Sequence, residues 1–171
     1  MIDVICDDIT KFKGDAIVNA ADPILSGGGG VDGAIHRAAG PQLAQACQKL
    51  HGCLPGEAKL TPGYRLPARY VIHTVGPIYT GSLQDESVLT ACYENALSLA
   101  AQRHLKTVAF PAISTGVYGY PEKKAAQIAV KTVIKWLKDH PDTEITVTLC
   151  AFDAQTAADY RTFLKKFGYQ K

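Results

Sequence analysis

Four consecutive glycines, Gly27 to Gly30, lead directly into Val31-Asp32-Gly33 and His36. Glycine carries no Cβ and tolerates positive φ, so successive backbone N–H groups can converge on one anion at the start of a following helix. A phosphate is the ligand that such a place suits. Asp32 is out of keeping with that use, because a carboxylate there repels the anion being held. A helix N-cap is one reading of it, though its place beside an anion makes it the least structural-looking residue of the segment. A second loop, Ile113-Ser114-Thr115-Gly116-Val117-Tyr118-Gly119-Tyr120, is also rich in small residues. Two such loops on one edge could clasp a diphosphate, with Ser114, Thr115 and the amides of Gly116, Val117 and Tyr118 as donors.

The common nucleotide fingerprints do not fit these glycines. Gly28-Gly29-Gly30-Val31-Asp32-Gly33 spells G-x-G-x-x-G, but a dinucleotide turn needs an acidic residue about 20 positions on. The next carboxylate after Asp32 is Glu57. A P-loop needs G-K-[ST] after its glycines, and none follows. No Ser/His/Asp set and no zinc-ligand spacing stands out, so neither a covalent nucleophile nor a metal or other cofactor is expected. His36, one turn into a helix, and His73, inside an apolar strand, read as structural histidines.

The elements that must position the loops alternate along the chain. Strand patterns cover Ile2 to Cys6, Ala16 to Asn19, Ala58 to Thr61, Tyr70 to Val75, Thr107 to Pro111 and Ile145 to Ala151. Helical patterns cover Gly33 to Leu50, broken near Gly40-Pro41, then Glu86 to Arg103, Glu122 to Asp139 and Ala154 to Lys166. Pro121 suits a helix start, and Pro141 follows the end of that helix. This order implies an α/β fold with a mostly parallel or mixed sheet covered on both faces, and a ligand at the carboxyl ends of its strands.

At 171 residues and 47% hydrophobic content, the chain is long enough for one domain with a substantial core. The balance of 18 basic to 16 acidic residues leaves a net charge of +2, too little for a strong grip on long nucleic acid. Lys123, Lys124, Lys131, Lys135 and Lys138 read as the solvated face of a helix. Cys6, Cys47, Cys53, Cys92 and Cys150 are odd in number and widely spaced, which suits reduced thiols in a cytoplasmic protein. No signal peptide or membrane span is expected.

The segments DDIT (Asp7 to Thr10), AIVNAADP (Ala16 to Pro23), GGGGVDGAIHRAAG (Gly27 to Gly40), VIHTVGP (Val71 to Pro77) and FPAISTGVYGYP (Phe110 to Pro121) together resemble a macrodomain. The likeness is greatest to the MacroD-type branch and covers nearly the whole chain. It implies a single three-layer α/β/α domain over residues 1–171. It also implies hydrolysis of O-acetyl-ADP-ribose and removal of ADP-ribose from acidic side chains. The implied partners are ADP-ribose or O-acetyl-ADP-ribose and mono-ADP-ribosylated proteins; on charge and hydropathy, neither a membrane nor a nucleic acid is expected as a partner.

By the same resemblance, Asp8 accepts from the adenine amino group, the backbone of Ile9 meets the ring, and Phe152 stacks on it. Asp8 as a turn or helix cap and Phe152 as a core residue are the readings that compete. Gly28, Gly29, Gly30 and Val31 form one wall of the diphosphate site, and Ser114, Thr115, Gly116 and Val117 the other. Asn19 and Asp32 meet the distal ribose, where Asp32 orients a hydroxyl or helps to activate water. Tyr118, with Tyr120 behind it, closes over the ligand. One departure stands out. Where the branch reads N-A-A-N, this chain reads Asn19-Ala20-Ala21-Asp22. A carboxylate only accepts, so a donor to the ribose is lost and negative charge is added near Asp32. Asp22 is then an added base, an engineered or deamidated asparagine, or the mark of a domain that binds ADP-ribose without turnover.

Overall fold

Ile17 and Val18, Val71 and Ile72, Val108 and Ala109, and Leu149 and Cys150 are neighbouring pairs in which both residues are apolar and buried. Successive strand residues point to opposite faces, so these strands need cover on both sides. That requirement selects the architecture of the computed structural model, which describes residues 1–170. Six strands form one sheet: β1 (Ile2–Cys6), β2 (Ala16–Ala20), β3 (Ala58–Pro62), β4 (Tyr70–Thr74), β5 (Thr107–Phe110) and β6 (Thr146–Ala151). Their order is β1-β6-β5-β2-β4-β3, with only the β3–β4 pair antiparallel.

Five helices cover the sheet: α1 (Gly30–Ala39), α2 (Pro41–Gln48), α3 (Leu83–Gln102), α4 (Glu122–Asp139) and α5 (Ala154–Lys166). Residues of α1 and α2, among them Ile35, Ala39 and Leu43, pack on the face that carries Ile17, Val71 and Ala109. Helices α3, α4 and α5 pack on the other, against Val18, Val108, Phe110 and Leu149. This is the three-layer arrangement with a mixed, mostly parallel sheet that the strand and helix pattern implies.

Two helix starts differ from the sequence expectation. Helix α1 begins at Gly30 instead of Gly33, because Gly29 serves as N-cap and Asp32 at the third helical position reaches back to the Gly28 N–H. Helix α3 begins at Leu83 instead of Glu86. There the side chain of Ser82 and the carboxylate of Asp85 cap each other's backbone amides, and Asp85 also takes the N–H groups of Thr80 and Gly81. The break at Gly40 is where the pattern places it, with φ +86 on the glycine that ends one helix and starts the next.

The parallel strands deliver their following loops to one edge in sheet order. Residues 7–9 follow β1, 152–153 follow β6, 111–121 follow β5 and 21–29 follow β2. Phe110, fully buried with its ring 4.9 Å from that of Tyr93, anchors the third of these loops. Phe110→Ala is expected to cost about 3–5 kcal/mol, the range for emptying an aromatic site in a core. The urea midpoint with its m-value measures it.

Candidate active site

The chain edge described above carries a cleft with two lobes. The smaller, about 250 Å³, lies over β2 and β5 and is lined by residues that include Ala20, Asp22, Asp32, Gly76, Ser114 and Tyr118. The larger, about 820 Å³, lies over β1 and β6 and is lined by residues that include Asp8, Ile9, Arg37, Thr115, Phe152 and Asp153. Gly30, Val31, Ala112 and Gly116 line both, so the two glycine loops form the waist between the lobes.

A buried polar chain stands at the back of the smaller lobe. Asn19, at the end of β2, donates from Nδ2 to Asp32 Oδ1 at 2.8 Å, and Asp32 Oδ2 accepts from the Gly28 N–H at 3.0 Å. The carboxylate is therefore held between the sheet and the glycine loop. Burial pushes the Asp32 carboxyl above its usual range, while the Asn19 bond, His36 and the Gly28 amide pull it back and Asp22 adds a small upward push. His36 Nε2 approaches Asp32 Oδ1 to 3.4 Å without an aligned hydrogen bond.

Asp22 faces the same lobe from the loop after β2. Its carboxylate accepts from the backbone N–H of Ser26 at 2.9 Å and from the Ser26 hydroxyl. An acceptor-only side chain suits those two donors, so the aspartate closes its own turn while lining the cavity. Tyr118 is half-buried across the lobe, and burial, then Asp22 and Asp32, raise its hydroxyl pKa.

The waist offers backbone donors. The first turn of a helix has N–H groups without carbonyl partners, here at Gly30 and Val31. Among the described residues, Gly116, Val117 and Tyr118 likewise make no hydrogen bond through their N–H groups. Ser114 has φ +68 and a buried Oγ without a partner, and it lies over Gly76 so closely that a Cβ on that glycine would sit 2.1 Å from the hydroxyl. Five free backbone donors, two of them at a helix terminus, make an anion site around the constriction.

The family model described as Macro domain matches residues 18–129. The chain belongs to the macrodomain family. A Macro domain-containing protein, RSc0334, of Ralstonia nicotianae is 57% identical over 160 residues, covering 93% of this chain and 91% of that protein. Mouse ADP-ribose glycohydrolase MACROD1 is 48% identical over 162 residues, or 94% of this chain and 50% of MACROD1. Among solved structures, a mutant Oceanobacillus iheyensis macrodomain with ADPR superposes with a TM-score of 0.92. Its identity is 42%, with 98% of this chain and 93% of that one covered. A Trypanosoma brucei macrodomain in complex with ADP-ribose gives 0.86 at 43% identity, covering 98% and 69%.

The macrodomain brings every expected site residue except Asn19 to the lining of one cleft, with Asn19 fully buried behind Asp32, and alters the part that several of them play. Gly28 lines the smaller lobe, but its N–H is taken by Asp32 and is not a free anion donor. The Thr115 hydroxyl donates to Ala112 O at 3.0 Å, so it braces its own loop. Asp32 is not an N-cap. Asp8 does cap, with Oδ1 accepting from the Thr10 N–H at 3.0 Å and the Thr10 hydroxyl at 2.7 Å, and those bonds hold its carboxyl below the usual range. It lines the larger lobe all the same.

Phe152 is 94% exposed, which removes the core reading and leaves a ring face open at the cleft. Ile9 is buried at the floor beside it. Tyr120, by contrast, is 5% exposed and packs on Tyr79 at 4.8 Å, so it belongs to the core and not to a lid. Sequence reasoning passed over Gly76 and undervalued His73, which contacts Asn19. The register of β4 beside β2 was the signal that could have found His73. Among the described residues no cluster of His, Cys, Asp and Glu could hold a metal, and no helix is long and apolar enough to cross a membrane.

Two outcomes are expected. Gly76→Ala drives a Cβ into the Ser114 hydroxyl and is expected to cost about 1–3 kcal/mol of stability, the range for overpacking a tight site, read from the urea midpoint. Burial of His73 holds its pKa down to about 3, against 6.5 when unfolded. The unfolded chain therefore takes up this proton first as pH falls. The contribution of the neutral ring is full above pH 6.5 and is lost progressively toward pH 3, which urea titrations across that window measure.

Proposed function

We propose that this macrodomain binds ADP-ribose along the cleft and hydrolyses ADP-ribose esters, both O-acetyl-ADP-ribose and mono-ADP-ribosylated aspartate and glutamate. The observation that carries the reading is the buried Asn19–Asp32 pair at one end of a cleft whose waist is built from free backbone amides. Phe152, Ile9 and Asp8 at the other end suit adenine, through a ring face, a buried apolar floor and an acceptor. The waist takes the diphosphate. The distal ribose then falls at Asn19, Asp32, Asp22 and Tyr118. MACROD1 carries the name ADP-ribose glycohydrolase, and the Trypanosoma brucei macrodomain was solved with ADP-ribose, which supports the assignment of ligand and reaction class.

Chemistry follows from placement more than from reactivity. Asp32 is buried, fixed by two hydrogen bonds and more basic than an exposed carboxylate, so it can orient a ribose hydroxyl or accept a proton from attacking water. Tyr118 contributes a hydroxyl that stays protonated and a ring that screens the lobe from bulk solvent. A bound ligand bent over the waist holds its ester and a water together, which replaces a nucleophilic side chain by proximity. The free thiols of all five cysteines accord with a cytoplasmic placement.

A second reading, a module that binds ADP-ribose without cleaving it, is favoured by Asp22. Two carboxylates line one lobe, and the second adds charge beside the diphosphate. Calorimetry with ADP-ribose and a product assay on O-acetyl-ADP-ribose separate the readings. Under the hydrolase reading, the wild-type chain binds and turns over, and Asp32→Ala lowers kcat on the order of 100-fold or more. Wild-type binding without turnover, gained by Asp22→Asn, establishes the binding module instead. Unchanged kcat in Asp32→Ala removes Asp32 from the chemistry.

A further inference from the structure

Asn19 has a second neighbour besides Asp32. Its register partner across β2 and β4 is His73, and Asn19 Nδ2 lies 3.1 Å from His73 Nδ1. On its far side, His73 Nε2 lies 2.9 Å from the hydroxyl of Thr61, on β3. Asn19 and His73 are fully buried and Thr61 nearly so. Three adjacent strands thus carry one row of polar side chains, all on the sheet face that α1 covers, ending on the Asp32 carboxylate.

Counting hydrogens assigns every direction in this row. The Asn19 amide has two, and Asp32 Oδ1 takes one at 2.8 Å. Turning the amide over would set its carbonyl against a carboxylate at that distance, acceptor to acceptor. The second hydrogen then needs the lone pair of His73 Nδ1, so the ring proton must reside on Nε2 and point at Thr61 Oγ1. Cys47 Sγ, 3.8 Å from Nε2, is a weak neighbour whose thiol burial keeps protonated, with a pKa of about 11. With both hydrogens spent, Asn19 Oδ1 remains, buried and without a partner.

We propose that His73 is a positioning residue: in its Nε2–H tautomer, anchored by Thr61, it locks the Asn19 amide so that only the Oδ1 acceptor is offered to the ligand. The site then selects a ligand that donates a hydroxyl there. This rests on the ADP-ribose reading, in which the donor is a hydroxyl of the distal ribose. Of the titratable groups acting on the ring, His36 and Cys47, neither brings it to the cationic form near neutrality, because burial keeps it neutral. The lock therefore holds across the physiological range.

The test joins histidine ring ¹⁵N spectra with calorimetry on the full chain, using ADP-ribose and ADP, which lacks the distal ribose. The wild-type spectra are expected to show His73 as the Nε2–H tautomer from pH 5 to 8. His73→Leu should weaken ADP-ribose at least tenfold while ADP changes less than threefold, since a merely structural loss would weaken both alike. His73→Asn, whose carbonyl can accept where Nδ1 does, should recover most of the loss. An Nδ1–H tautomer in the wild type overturns the proposal whether or not any variant folds. So does an ADP-ribose to ADP affinity ratio unchanged in His73→Leu. Failure of the wild type to bind ADP-ribose overturns the ligand assignment, and the tautomer still decides the lock.

Discussion

The hydrogen bond from Asn19 to Asp32 ties the glycine loop and the start of α1 to the central sheet. One end belongs to the central sheet and the other to the first turn of α1, whose carboxylate also holds the Gly28 amide. A buried hydrogen bond to a charged group contributes about 1.5–3 kcal/mol, which offsets the backbone entropy lost on ordering about one or two residues of the glycine loop. Without it, the residues best suited to bend around an anion are also those least able to stay bent. The bond makes the loop a wall.

The rest of the site depends on sheet order. Because β1, β6, β5 and β2 run parallel, each hands its loop to the same edge, and their sequence across the sheet becomes the sequence along the cleft. Phe152 and Ile9 with Asp8 come first, free amides next, and Asp22 and Asp32 last. An extended ligand with a flat ring, a charged middle and a polyhydroxylated end reads the same order. β3, antiparallel at the margin, supplies no wall of the cleft itself but carries Thr61 to the end of the buried row.

Much of this was legible in the residues. Paired apolar neighbours in four strands announce a sheet with two covered faces, and glycines between strand and helix announce an anion site. The hydrogen-bond directions were not. Nothing in a sequence says that Thr115 spends its hydroxyl on Ala112, that Gly28 spends its amide on Asp32, or that Asp22 is bonded to Ser26. Each is a local competition between backbone and side chain settled by a few tenths of an ångström. Tyr118 and Tyr120 make the same point: two residues apart in one loop, one lines the lobe and the other joins the core through Tyr79. The importance of His73 depends on strand register, which pairs residues 54 positions apart.

Phe152 has nearly all of its surface in water. An exposed aromatic ring orders the solvent around both faces, and that hydration raises the heat capacity of the unliganded chain. A flat ligand ring laid on it releases this water. Association at that end of the cleft therefore carries a negative heat-capacity change, so the enthalpy of binding drifts with temperature even where the affinity barely moves. The amides at the waist and the carboxylates beyond it supply no such drift of that sign. One side chain at the rim thus gives its end of the cleft a thermal signature that the other end lacks.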